Sequence, residues 1–200
     1  MAKKLLREWY ALDYSAALIK ESRESNGGKL VLKGILQKAN TKNQNKRIYP
    51  MEILQREVEN YTKAVREARA VGELDHPESS SVSLQNVSHI IREIGWDGNN
   101  VIGRVEVLPT PKGKILESLL EAGVVIGISS RGVGSTEKTN EGLDTVQPDY
   151  QIICFDIVSE PSTPGAYLFA EGKTIFDEEV RTSKADRIFR ALNNINITRR

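Results

Sequence analysis

Ser129 stands in Gly127-Ile128-Ser129-Ser130-Arg131-Gly132, directly after a short apolar run, and His76 stands in Gly72-Glu73-Leu74-Asp75-His76-Pro77. A serine and a histidine are two parts that a serine hydrolase needs. The hydroxyl is a poor nucleophile until a base takes its proton, and backbone N–H groups must then hold the oxyanion. Each residue also has a plain reading. Between Asp75 and Pro77, His76 fits an ordinary surface turn, and Ser129 fits a serine at a strand end bonded to its local backbone. Residue types alone leave both readings open.

Other chemistries fit worse. Gly127 and Gly132 have the spacing of a phosphate loop's two glycines, but Arg131-Gly132-Val133 lacks the Gly-Lys-Ser/Thr ending that touches phosphate and magnesium. Arg131 also stands where the Gly-x-Ser-x-Gly elbow of α/β-hydrolases requires its second glycine. Two histidines and one cysteine, Cys154, spread along the chain do not make a closed zinc set. Neither a metal nor a cofactor is expected.

The elements that must position these residues read as follows. Lys29–Gln37 is rich in aliphatic residues and predicts a strand, followed by a polar loop over 40–47. Pro50 opens a helix to about Ala70, with Ile53, Leu54, Val58, Tyr61, Val65 and Ala68 on one buried stripe. Val82–Trp96 alternates as one long strand or two, Asp97-Gly98-Asn99-Asn100 turns, and Val101–Val107 returns. Thr110-Pro111 sets the cap and first residue of a short helix that stops at Gly123. Val124–Ile128 leads as a strand into Ser129, and Gln151–Val158 is the last clear strand. Strands outnumber helices, and helices sit between hairpins. The expected fold is α+β, a mainly antiparallel β-sheet or small barrel with packed helices.

Composition sets the outer limits. The chain has 200 residues, enough for one good core, and 39% hydrophobic with 28% charged residues is ordinary for a globular domain. A net charge of +1 gives no electrostatic case for nucleic acid or a membrane surface as the main partner. A single cysteine allows no internal disulfide, and no segment approaches the roughly 20 apolar residues of a membrane helix, so a cytosolic compartment is expected. Three parts are expected: an N-terminal arm over 1–28, a catalytic domain over 29–172 and a helical tail over 173–200.

Five blocks occur in a telling order. They are Asn45-Lys46-Arg47-Ile48-Tyr49-Pro50, Gly72–Pro77, Val101-Ile102-Gly103-Arg104, Gly127–Gly134 and Asp156-Ile157-Val158-Ser159-Glu160-Pro161-Ser162. Together they resemble the prohead (procapsid) maturation proteases of T4-like tailed bacteriophages, distant relatives of the assemblin proteases of herpesviruses. The resemblance covers roughly residues 29–170.

The resemblance implies an assemblin-like fold and a serine endopeptidase with His76 as general base and Ser129 as nucleophile. Ser130, Arg131 and Gly132 would be the neighbours whose backbone N–H groups form the oxyanion hole. Assemblins use a second histidine as third member, but His89 lies upstream of Ser129 and reads as a strand residue. Asp156 is the better candidate: a carboxylate inside the apolar run Ile152–Val158 either faces solvent or needs a partner, and a catalytic histidine would supply one. The implied substrates are phage scaffold (core) proteins and the major capsid protein, cleaved inside the procapsid in the host cytoplasm, followed by the protease itself. No direct nucleic-acid or membrane contact is expected, and a homo-oligomer stays open.

T4-type relatives favour cleavage after glutamate, which would call for a cation in the first specificity pocket, with Arg131 and Arg104 as candidates. The same preference would make Glu171, Glu178 and Glu179 self-cleavage sites. Two rivals remain: a catalytically silent capsid or tail structural protein on the same fold, and a cytosolic esterase.

Overall fold

The computed structural model describes residues 16–77, 79–140, 142–159 and 161–171. The expected tail, 173–200, lies outside the described residues, as do Glu178 and Glu179. The chain runs through helix α1 (Ala16–Ser25), strands β1 (Val31–Lys38) and β2 (Arg47–Ile48), helix α2 (Met51–Arg66) and strands β3 (Val71–Glu73), β4 (Val87–Asp97) and β5 (Asn100–Val107). Helix α3 (Pro111–Glu121) follows, then β6 (Gly127–Val133), β7 (Thr136–Lys138), β8 (Asp144–Val146), β9 (Gln151–Val158) and β10 (Leu168–Ala170).

Local chemistry sets several of these bounds. The Thr110 hydroxyl accepts the Gly113 N–H at 3.0 Å and Pro111 fills the first helical turn of α3, where a missing N–H does no harm. Gly123, at φ +77°, turns the chain out of that helix. Helix α2 has no side-chain cap of its own, but Asn40 Oδ1 accepts the Met51 N–H at 3.1 Å. It stops before the expected Ala70, because the Ala70 carbonyl already accepts the Ile91 N–H of the sheet at 2.9 Å.

The strands form a five-stranded antiparallel sheet in the order β10-β1-β5-β4-β3, a separate pair β6-β9, and a small sheet β2-β8-β7. The pair closes the five strands into a small barrel. On one side Leu74, just past β3, bridges Ile157 of β9 in parallel. On the other, Ile128 N–H donates to the Ala166 carbonyl at 2.9 Å, and Gly127 bridges Tyr167 just before β10. Extra residues at the register shifts, Leu36 of β1, Ser88 and Arg92 of β4 and Ile153 of β9, supply the bends that closure requires.

One continuous core fills the barrel and the helix contacts. Leu32, Leu36, Ile91, Leu116, Ile128 and Phe155 are fully buried within it, each worth about 1.5–3 kcal/mol of hydrophobic transfer. Tyr61 of α2 meets Phe155 of β9 edge-on with ring centres 5.3 Å apart, seating the helix on the strand that carries Asp156. From 16 to 28, the expected arm is the helix α1 and a turn. It is fastened by Ser22 Oγ, which donates to the Val31 carbonyl at 2.9 Å and accepts the Val31 N–H at 3.0 Å. Arg23 ties it further to Glu117 and Glu121 of α3.

Two strand bounds differ from expectation in ways that matter. β6 begins at Gly127, with Val124 and Val125 exposed ahead of it, so Ser129 lies inside the strand instead of at its end. The strand exists only where partners flank it, and the Val124 N–H is instead satisfied by Leu119 at the helix end. β4 begins at Val87, later than Val82, because 79–86 is a loop held from below by charged side chains.

Candidate active site

The candidate residues converge at the seam where β3 meets β9. Asp75 holds φ 67°, a left-handed conformation that aspartate tolerates better than most residues, and donates its N–H to the Ile157 carbonyl at 2.8 Å. The chain thereby lifts His76 over β9. His76 Nδ1 lies 2.8 Å from Asp156 Oδ2. The histidine side chain is 39% exposed and the aspartate 0%, so a buried carboxylate orients a ring whose other nitrogen, Nε2, is left for chemistry. No side chain can be added at Gly72 without displacing this seam: a Cβ there would meet the Phe155 carbonyl at 2.0 Å and His89 Nε2 at 2.4 Å.

Strand register places the serine. Ser129 pairs with Asp156 and Arg131 with Cys154 across β6 and β9. Directly opposed residues share a face of the ladder, so these four side chains lie together. Ser130 pairs with Phe155 and falls on the opposite face, with the core residues Ile128 and Ile157. Ser129 is buried, and its Oγ lies 3.5 Å from the Ser162 hydroxyl. No Ser129–His76 hydrogen bond occurs among the described residues; substrate-free catalytic geometry is commonly this loose.

Backbone direction divides the three oxyanion candidates. The Ile128 N–H points away from β9, toward Ala166. Alternation along the strand then turns the Ser130 N–H to that same edge and the Arg131 N–H toward β9. The register shift leaves Ile153 of β9 unpaired while Arg131 and Gly132 stay consecutive on β6, so the Gly132 N–H follows that of Ser130 to the open edge.

The Asp156 carboxylate is heavily engaged. Oδ1 accepts the Glu73 N–H at 3.0 Å and lies 3.3 Å from both Arg131 Nη2 and the Cys154 thiol. Arg131 Nε approaches Oδ2 to 2.9 Å, an ion-pair distance without hydrogen-bond alignment. Burial alone would raise this carboxyl's pKa. The His76 hydrogen bond, the Glu73 N–H and the Arg131 charge outweigh it and leave the pKa below its ordinary value. The carboxylate therefore stays ionised and His76 Nδ1 carries the proton between them. Glu73 behaves likewise: burial pushes its carboxyl up, and bonds from Arg131 and the Ser83 N–H bring it below the usual range. Burial pushes the Cys154 thiol up to about 12, so it remains a protonated donor to Asp156.

His89 takes no part in this proton path. It is fully buried, with Nε2 2.9 Å from the Phe155 carbonyl and Nδ1 2.8 Å from the Ser88 hydroxyl. Burial lowers its pKa to about 4, so it is neutral, donating from Nε2 to the backbone next to Asp156. The two arginines considered for specificity are both committed elsewhere. Arg131 binds Glu73 and Asp156, and Arg104 on β5 binds Glu93 and Glu171. Glu171 is also paired with Lys33, so its side chain is held at the end of β10.

Sequence reasoning missed Glu73 and the side-chain role of Arg131. A signal was present in part: both are charged residues inside the same short blocks that hold His76 and Ser129.

Comparisons with known proteins place the chain in a family. The sequence pattern of the family described as "Prohead core protein serine protease" matches residues 16–178. The chain is 36% identical to the prohead core protein protease of Enterobacteria phage T4 over 174 residues, 82% of this chain and 80% of that protein. The solved structure of the bacteriophage T4 capsid assembly protease, gp21, superposes with a TM-score of 0.64 at 36% identity, over 66% of this chain and 84% of the other. An antiparallel barrel with packed helices, an aspartate-held histidine and a match over most of the chain lead to one conclusion: the chain belongs to the prohead core protein protease family.

Proposed function

We propose that this protease works as a serine endopeptidase inside the phage procapsid, cutting scaffold (core) proteins and the major capsid protein and then itself. The observation that carries the reading is the His76–Asp156 hydrogen bond, 2.8 Å long, formed by the aspartate that stands opposite Ser129 in the β6–β9 register. The naming of its T4 relatives as a prohead core protein protease and a capsid assembly protease supports the substrate class.

In this reading His76 Nε2 takes the Ser129 hydroxyl proton as Oγ adds to the scissile carbonyl. Asp156 holds the ring with its proton on Nδ1 and stabilises the imidazolium that forms. The Ser130 N–H, on the open edge of β6, donates to the oxyanion, with Gly132 beyond the register shift as second donor. The C–N bond then breaks, the imidazolium proton leaves with the amine, and water releases the acyl group from Ser129 by the same steps in reverse.

The test is incubation of the purified protein with the core protein of its own phage, beside Ser129→Ala and Ser130→Ala forms. Cleavage should vanish in Ser129→Ala and persist at a measurable rate in Ser130→Ala. The reverse result would move the nucleophile to Ser130. Cleavage by none of the three would favour the silent structural protein, and turnover of small esters alone would favour the esterase. Mass spectrometry of the same samples reads self-processing, which should remove a C-terminal fragment only from active protein.

A further inference from the structure

Beneath His76, Asp156 is joined by two charged residues that the proton path itself does not use. Arg131 donates from Nη2 to Glu73 Oε1 at 2.8 Å and to Asp156 Oδ1 at 3.3 Å. Its Nη1 donates to the Ser79 carbonyl at 2.7 Å and the Ser81 carbonyl at 3.3 Å, both in the loop that follows His76. Glu73 Oε1 accepts the Ser83 N–H of the same loop at 2.9 Å. All three charged side chains are nearly or fully buried.

Their charges set a constraint. An arginine against Asp156 would by itself cancel the negative charge that a triad aspartate offers an imidazolium. Glu73 supplies a second negative charge, so Glu73, Arg131 and Asp156 together carry −1, the charge of a lone aspartate. We propose that Arg131 and Glu73 are positioning residues for proteolysis: Arg131 bolts the His76 loop to Asp156, and Glu73 offsets the arginine's charge so that the cluster still presents −1 to His76. This rests on the serine-protease reading above.

The other ionisable groups packed here cannot replace that balance. On β9, Cys154 is a protonated thiol and on β4 His89 is neutral. On α2, burial pushes the Tyr61 hydroxyl far up, so it too is uncharged. Asp75, beside His76, belongs to the turn and is left in place in every variant below.

The experiment follows the His76 ring by NMR across a pH titration of the full chain carrying Ser129→Ala, which excludes self-cleavage. His89, the other histidine of the chain, is neutral down to about pH 4, so its ring signals stay fixed over the working range. Adding Glu73→Gln leaves the cluster at zero, and the titration midpoint should fall by about one pH unit, the effect of one charge several ångströms away at an effective dielectric of about 20. Adding Arg131→Gln should move the midpoint the opposite way. The double variant Glu73→Gln, Arg131→Gln restores −1 and should place the midpoint between those of the two single variants.

A merely structural pair would lower the melting temperature and leave the midpoint where it is, which would overturn the proposal. Shifts of the same sign in both single variants would overturn it equally. If Arg131→Gln does not fold, Glu73→Gln decides alone: no downward shift ends the proposal. The titration does not depend on which serine is the nucleophile. Absence of cleavage by every form, the parent included, would sink the functional reading and leave this result standing, while an unmoved midpoint with Ser129→Ala inactive and the parent active would sink only the charge balance.

Discussion

Two arginine-centred networks, built from the same parts, sit in different places on the barrel. Under the site, Arg131 binds two carboxylates, Glu73 and Asp156, and is 9% exposed. On the outer side of β5, Arg104 also binds two carboxylates, Glu93 and Glu171, and is 23% exposed, with Lys33 completing that group. The outer network joins β1, β5 and the end of β10, strands already fixed by their ladders. The inner one joins β3, β6 and β9, which meet at β3 and β9 through little more than a bridge. An ion cluster matters where backbone pairing is thin and where one of its members also faces a proton carrier. The same chemistry elsewhere is reinforcement.

Asp156→Asn is the sharpest way to break the comparison. It preserves shape but removes the charge and favours the wrong histidine tautomer, so kcat/KM on core protein should fall about 10³- to 10⁴-fold. Activity within tenfold of the parent would place the inner network in the same class as the outer one.

A second test uses the backing of the inner network. His89 titrates at about 4 in the fold and near 6.5 when unfolded, so the unfolded chain binds the proton first as pH drops. Stability from this residue is therefore complete above pH 6.5 and is lost down to about pH 4, amounting to about 2 kcal/mol between pH 6.5 and 5. Asp156 and Glu73, whose pKa values are depressed, add their losses only below the ordinary carboxylate range. Denaturant unfolding at pH 6.5 and 5 should show that difference in the parent and lose it in His89→Gln, which keeps a donor for the Phe155 carbonyl. An equal pH slope in both proteins would refute the assignment.

The smallest effect is expected from Arg104→Gln. Its partners retain Lys33 or water, so the loss should be about 1 kcal/mol in denaturant unfolding, with kcat/KM on core protein unchanged within twofold. A large fall in activity would mean that the outer network reaches the site.

Much of the scaffold was legible because short-range rules governed it. Gln151–Val158, an apolar run interrupted by Asp156, is β9 to the residue, and the Asp97–Asn100 turn and the Thr110-Pro111 cap fall where their chemistry predicts. The fold class followed from the ratio and order of such elements. The closure of the barrel did not, because it rests on single bridges between segments far apart in sequence. Ser129 was placed at a strand end for the same reason: partners set the extent of β6, and its own residues do not announce them. The minor sheet β2-β8-β7 pairs pieces of two or three residues, too short for any periodicity. Asp156 was visible because one acid interrupts an apolar strand. Its partners Glu73 and Arg131 lie 83 and 25 residues away, and no local pattern joins them.

The seam between β3 and β9 also sets a time. His76 and Asp156 are 80 residues apart in the chain and touch only across that seam. Closing a loop of this length is among the entropically late steps for a β-rich domain, since the intervening hairpins reward the chain sooner. A molecule that has formed its hairpins and helices but not the seam has a serine, a histidine and an aspartate without a triad. On the proposed mechanism, proteolytic competence would arrive only with this seam.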